Sequence, residues 1–126
     1  MKKLDNILKR NSARLLQEPY PTKVEMNNIY KAALRAPDHA WLRPTSFIEI
    51  KDKGIEKLSK IFEEFASKNV DQKNIDKYKN APYRAPMIIA IVNTYKEHPK
   101  VPKIEQMLST AASVQNILLA LNALKY

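Results

Sequence analysis

Met87-Ile88-Ile89-Ala90-Ile91-Val92 is an unbroken apolar run of strand length, and Pro102-Lys103-Ile104-Glu105-Gln106-Met107-Leu108 opens a much longer periodic segment behind it. The first predicts a strand covered on both faces. The second predicts a long helix started by proline, with Ile104, Met107, Leu108, Ala111, Val114, Ile117, Leu118 and Leu121 turned inward. Small residues at Ser109, Ala111, Ala112 and Ser113 allow close approach to that helix. Working outward, residues 46–51 form a second candidate strand carrying Phe47, Ile48 and Ile50. Helices fill the remainder. A short one holds Leu4, Ile7 and Leu8 on one face and ends at Arg10. The next opens on the capping-box sequence Thr22-Lys23-Val24-Glu25, turns Met26, Ile29, Ala33 and Leu34 inward, and must stop before Pro37. Gly54 precedes an amphipathic helix with Ile55, Leu58, Ile61, Phe62 and Phe65 inside. A polar helix over residues 74–79 is anchored by Ile75 and Tyr78. Pro19 and Pro21, then Pro82 and Pro86, mark connectors.

Helices around two strands predict an α+β fold in a single domain over residues 1–126. Two strands are too few for a stable sheet. The most apolar helix reaches Lys125-Tyr126 without a glycine or asparagine cap. The expectation is therefore a fragment whose C-terminal strands are missing.

Composition excludes several classes of function. The chain has no cysteine, which removes disulfides, thiolate metal sites and a cysteine nucleophile. Its two histidines, His39 and His98, are too far apart in sequence to suggest a metal site. A single glycine cannot build a P-loop or a dinucleotide fingerprint. The N-terminal Met1-Lys2-Lys3-Leu4-Asp5-Asn6 lacks the apolar stretch of a signal peptide, and no segment predicts a membrane span, so the cytoplasm is the expected compartment. The net charge of +9 is spread along the chain and mixed with acidic residues, as in Lys51-Asp52-Lys53. That pattern favours solvated faces over a nucleic-acid stripe, which concentrates charge and interleaves aromatics.

Only 5 of the 22 cationic residues are arginine, and three of them fall in Arg10-Asn11-Ser12-Ala13-Arg14 and Arg35-Ala36-Pro37-Asp38-His39. Arginine offers paired donors to phosphate or carboxylate oxygens where lysine offers a point charge, and Ser12 adds a hydroxyl. The two clusters suggest an anionic ligand. Structural roles stand beside that reading. Arg10 and Arg14 suit a helix end, Ser12 suits an N-cap, and Arg35 suits a helix C-terminus. His39 suits a backbone hydrogen bond in a loop, and Trp41 suits packing or an interface. Paired carboxylates such as Glu63-Glu64 diverge on a helix and read as solvated charge.

The two clusters, with Glu18-Pro19, Arg43-Pro44-Thr45-Ser46-Phe47, Asn80-Ala81-Pro82-Tyr83-Arg84-Ala85-Pro86 and Lys100-Val101-Pro102 before Glu105-Gln106, stand in an order and spacing that resemble the short, minimal branch of the nitroreductase family. The resemblance runs from end to end. It implies an α-β-α fold with a central sheet flanked by helices, and a homodimer with FMN at the interface. It also implies hydride transfer from NAD(P)H through FMN to a nitroaromatic, quinone or similar small-molecule acceptor. Carried over by position, Arg10, Asn11, Ser12, Arg14, Arg35 and His39 are the cofactor-binding residues. The first cluster comes from one subunit and Arg35 and His39 from the other, with Arg14 assigned to the flavin N1/O2 edge. No protein nucleophile and no metal are implied, because the flavin carries the redox chemistry.

Three departures accompany the resemblance. Asn11 stands for a second arginine, and Arg43 and Thr45 stand for glutamine and tryptophan around Pro44. Lys125 stands for the first glycine of a turn, and there the family continues into a strand carrying further flavin contacts and an arm that crosses to the partner. The alternatives are a non-catalytic flavin-binding or dimer-assembly module and, more remotely, a basic nucleic-acid-binding domain.

Overall fold

A computed structural model describes residues 4–126, so the part of the N-terminal reading that concerns Met1-Lys2-Lys3 lies outside the described residues. In chain order the elements are α1 (Asp5–Lys9), α2 (Lys23–Ala33), β1 (Thr45–Lys51), α3 (Lys53–Asn69), α4 (Ile75–Asn80), β2 (Met87–Asn93) and α5 (Lys103–Ala123). Short 3₁₀ turns occupy His39–Trp41, Gln72–Asn74 and Ala81–Arg84. The two strands pair in one antiparallel sheet. Its register is fixed where the Thr94 N–H donates to the Pro44 carbonyl at 2.7 Å, which sets the start of β1 beside the end of β2. No helix among the described residues is long and apolar enough to cross a membrane.

The chain forms two compact units. The first holds the stretch up to Ser12, Pro21–Ile48 and Ile91–Tyr126. There α2 packs on α5, and α1 also lies against α5. The capping box of α2 forms as read. The Glu25 N–H donates to Thr22 Oγ1, and the Thr22 N–H donates to Glu25 Oε2 at 2.8 Å. Met26, Ile29 and Ala33 are buried, whereas Leu34 is exposed because it is the helix cap, where the backbone turns away. Tyr30 of α2 stacks on Phe47 of β1 with ring centroids 5.1 Å apart.

The most apolar helix is oriented against expectation. The residues of α5 that are buried are Gln106, Thr110, Ser113 and Ile117, while Ile104 is 58% exposed and Leu108 is 60% exposed. Met107, Ala111 and Leu118 are exposed too, and Val114 and Leu121 are half-buried. Burial of the polar residues is compensated by hydrogen bonds. The Gln106 amide donates to the Lys96 carbonyl at 2.8 Å and accepts from the Lys96 N–H at 3.0 Å, closing the segment between β2 and α5. Thr110 is hydrogen-bonded to Thr45 Oγ1 at 2.7 Å and receives the Asn93 amide. Asn116 donates to the Ala32 carbonyl at 3.1 Å, and Asn122 donates to the Asn6 carbonyl at 3.0 Å. The inward stripe thus docks β1 and β2 by polar contacts, Asn116 at its border reaches α2, and Asn122, on the side of Leu118, meets α1.

The second unit holds Ala13–Tyr20 and Glu49–Ala90. Here α3 begins at Lys53, so Gly54 lies inside its first turn, and a Cβ at that position would meet Ile50 Cγ2 at 3.2 Å. The inward residues of α3 are Ile55, Ser59 and Ala66, with Ile61 and Phe65 exposed. Small residues win because α4 and the Ala81–Arg84 turn pack on this face, and Ser59 Oγ donates to the Lys79 carbonyl at 2.7 Å. Phe65 instead meets Tyr78 at the surface, with ring centroids 6.2 Å apart. β2 is half-buried rather than covered on both faces, since it has one strand neighbour among the described residues.

Hydrogen bonds to the Thr22 side chain, then to its backbone, then to Tyr126 hold the Glu25 carboxyl below its ordinary value of 4.5. A lowered carboxyl stabilises the fold fully above the unfolded value, and the contribution is lost as pH falls through the folded one. Thr22→Ala should cost about 1 kcal/mol in urea unfolding at neutral pH. Glu25→Gln should also destabilise at neutral pH, and its difference from the wild type should close as the pH drops below the carboxylate range. A gap that persists in acid would contradict the capping assignment.

Candidate functional site

Arg10 is the C-terminal cap of α1, and its guanidinium Nη1 donates to Ser12 Oγ at 3.2 Å. The structure therefore brings these two predicted residues together and gives Ser12 a role other than a helix N-cap, since the next helix starts at Lys23. Asn11 is exposed beside them.

Arg14 lies in the second unit, where its backbone is held by Arg84 of the stretch 80–86, a contact no local sequence signal announces. Arg84 donates to the Arg14 carbonyl from Nε at 2.9 Å and from Nη2 at 2.7 Å. The Leu16 N–H returns a bond to the Arg84 carbonyl at 2.8 Å. The fork of one arginine thus fixes the backbone that carries another, while the Arg14 side chain is exposed.

In the first unit Arg35 follows α2 directly, with its N–H on the Ala32 carbonyl at 3.0 Å. Its side chain is exposed and makes no hydrogen bond or ion pair among the described residues. It lines a cleft of about 620 Å³ together with Lys31, Trp41, Arg43, Thr45 and Ser109. His39 stands nearby in sequence, and its partner is a side chain rather than backbone. Nδ1 lies 2.8 Å from Glu105 Oε2 in the first turn of α5. This contact orients the ring and leaves Nε2 without a partner among the described residues. No local signal could have found Glu105 as that partner, 66 residues away.

Between His39 and Pro44 the backbone turns sharply through non-glycine residues. Ala40, Trp41 and Arg43 have φ of 58°, 53° and 48°. Each costs about 1 kcal/mol or more in this left-handed region, and the surrounding bonds sustain it. The Trp41 N–H donates to the Asp38 carbonyl at 3.2 Å, and the Arg43 N–H donates to Asp38 Oδ2 at 2.8 Å. The loop presents Trp41, 76% exposed, with the Arg43 guanidinium 5.9 Å from its ring centre.

Arg84→Ala should destabilise the chain by about 1 kcal/mol through loss of the two bonds to Arg14. Limited proteolysis should then cut first within residues 13–20. An unchanged cleavage pattern would show that Arg84 is not what holds that segment.

Residues 7–126 match the sequence profile of the Nitroreductase family. The "Putative NAD(P)H nitroreductase YdjA" of Escherichia coli (strain K12) is 40% identical over 121 residues, covering 95% of this chain and 66% of that protein. A "Putative NAD(P)H nitroreductase" of Haemophilus influenzae is 34% identical over 118 residues, covering 90% of this chain and 63% of that protein. The chain therefore spans somewhat less than two thirds of the length of these relatives. Among solved structures, a nitroreductase-like family protein from Bacillus cereus superimposes with a TM-score of 0.73 at 20% identity, over 93% of this chain and 62% of that one. A nitroreductase with bound FMN from Bacteroides fragilis superimposes with a TM-score of 0.72 at 22% identity, over 96% and 64%. The α+β architecture is thus the nitroreductase fold, and the chain belongs to the nitroreductase family.

Proposed function

We propose that the chain acts as a flavoprotein oxidoreductase and works as a homodimer with FMN at the subunit interface. FMN, when bound, supplies the redox-active ring through which hydride passes from NAD(P)H to a small-molecule acceptor such as a nitroaromatic or a quinone. The chain's own residues bind and orient. Arg10, Asn11, Ser12 and Arg14 of one copy and Arg35 and His39 of the second are assigned to hold the cofactor.

One observation carries this reading. Arg14 and Arg35 are exposed, Arg10 is half-buried, and no carboxylate pairs with any of them among the described residues. Arg10 is already joined to the Ser12 hydroxyl. Unpaired arginines beside a hydroxyl are a donor set that fits a phosphate and polyol oxygens. His39, steered by Glu105, adds a ring nitrogen of fixed direction. The relatives named as NAD(P)H nitroreductases support the electron donor, and the FMN-containing structural neighbour supports the cofactor.

The dimer reading is supported by α5. With its polar stripe turned inward, it exposes Ile104, Met107, Leu108 and Leu118 along one side. Contiguous apolar surface of that kind marks an association face.

Arg10→Ala and Arg35→Ala should each weaken FMN by about 1.5–3 kcal/mol through lost charged hydrogen bonds, read by flavin fluorescence titration. Unchanged affinity in both variants would sink the site assignment. NAD(P)H consumption on addition of an acceptor should follow FMN loading, whereas FMN binding without turnover would reduce the chain to a flavin-binding module. Leu108→Glu should shift the mass in light scattering from dimer to monomer, and a dimer that survives it would move the interface elsewhere.

A further inference from the structure

The loop from Asp38 to Pro44 holds a strained backbone in order to display two exposed side chains. Ala40, Trp41 and Arg43 have positive φ without glycine. Trp41 is the single tryptophan of the chain and lies at the surface. Such backbone collects at ligand sites, because nothing in packing alone rewards it.

The polar groups around the cleft divide into engaged and available ones. Asp38 faces inward to its own loop, accepting the Arg43 N–H at 2.8 Å. Thr45 Oγ1 is bonded to Thr110, and Ser113 Oγ donates to the Ser109 carbonyl at 3.2 Å. Lys31, Arg35 and Arg43 line the cleft, and none is paired with a carboxylate among the described residues. Arg35 is assigned to the cofactor, which leaves Lys31 and Arg43 available against the one inward carboxylate, so the cleft is positive. The indole at its rim offers a flat apolar face, and the Arg43 guanidinium lies 5.9 Å from that ring. Because Arg43 itself lies over the indole, an aromatic ring that stacks there moves the exposed guanidinium aside to the rim, where a negative substituent on that ring pairs with it.

We infer that Trp41 and Arg43 form an acceptor-recognition element that selects planar aromatic acceptors carrying an anionic group, such as aromatic carboxylates, over their neutral isosteres. The inference rests on the oxidoreductase reading only in naming the ligand as the acceptor. The recognition itself is a property of the loop and cleft.

Trp41 makes the test site-specific, because no other tryptophan contributes to the fluorescence. The chain is titrated with 4-nitrobenzoate and with 4-nitrobenzamide, which has the same shape without the charge, at low salt. Stacking should quench Trp41, with the carboxylate bound roughly tenfold more tightly than the amide. Arg43→Met retains the tryptophan and should bring the two within about twofold, and added salt should erode the preference in the wild type. FMN is titrated separately. Equal affinity for both probes, or a preference that survives Arg43→Met, would overturn the inference even if FMN binds. Quenching by FMN or NADPH with none by nitrobenzoate would assign the cleft to cofactor or donor and overturn it as well. A chain that ignores FMN yet keeps the Arg43-dependent preference would defeat the flavin reading and leave the aromatic-anion site standing.

Discussion

Gln106 is buried on α5, and its amide bonds both backbone groups of Lys96. The first unit is organised around the polar stripe to which it belongs. On it Gln106 closes the segment after β2 and Thr110 joins the first residue of β1, while Asn116 at its border reaches the end of α2 and Asn122 on the other side of the helix reaches α1. A buried polar group is costly unless it is satisfied, so each of these bonds also selects a single register for α5. Asn93 Oδ1 is the one buried side-chain acceptor among the described residues without a partner. It sits where the strand end meets the stripe.

That choice of inward face has two consequences for function. It fixes Glu105, one residue before Gln106, where its carboxylate meets His39 and orients the imidazole. It also turns the large apolar side chains of the same helix outward, where a second copy can cover them. A helix whose polar side stabilises its own subunit and whose apolar side is exposed is suited to the centre of a dimer. The proposed cofactor residues, drawn from two copies, then depend on the same helix that holds each copy together.

Features decided by near neighbours were legible in the sequence. The capping box needs only Thr22 and Glu25, and the strands needed only their apolar content. The two arginine clusters stand out because arginine is scarce here. What was not legible depends on distant partners. The polar and apolar residues of α5 are spread around the helix and give no single hydrophobic direction, so periodicity could not choose between the Ile104–Leu108 side and the Gln106–Thr110 side. On α3 the inward face departs from the apolar periodicity in the same way, because α4 approaches closely enough for Ser59 to reach the Lys79 carbonyl. Glu105 as the partner of His39 and Arg84 as the clamp on Arg14 are 66 and 70 residues away from the groups they hold. The left-handed turn at Ala40, Trp41 and Arg43 carried no glycine to announce it.

The central claim is that the flavin site exists only where two copies meet. Analytical ultracentrifugation of the FMN-loaded chain, followed at flavin and protein wavelengths over a dilution series, tests it most directly. Flavin should sediment with the dimer at two FMN per dimer and be released as the dimer dissociates. Flavin that travels with the monomer at undiminished occupancy would contradict the account.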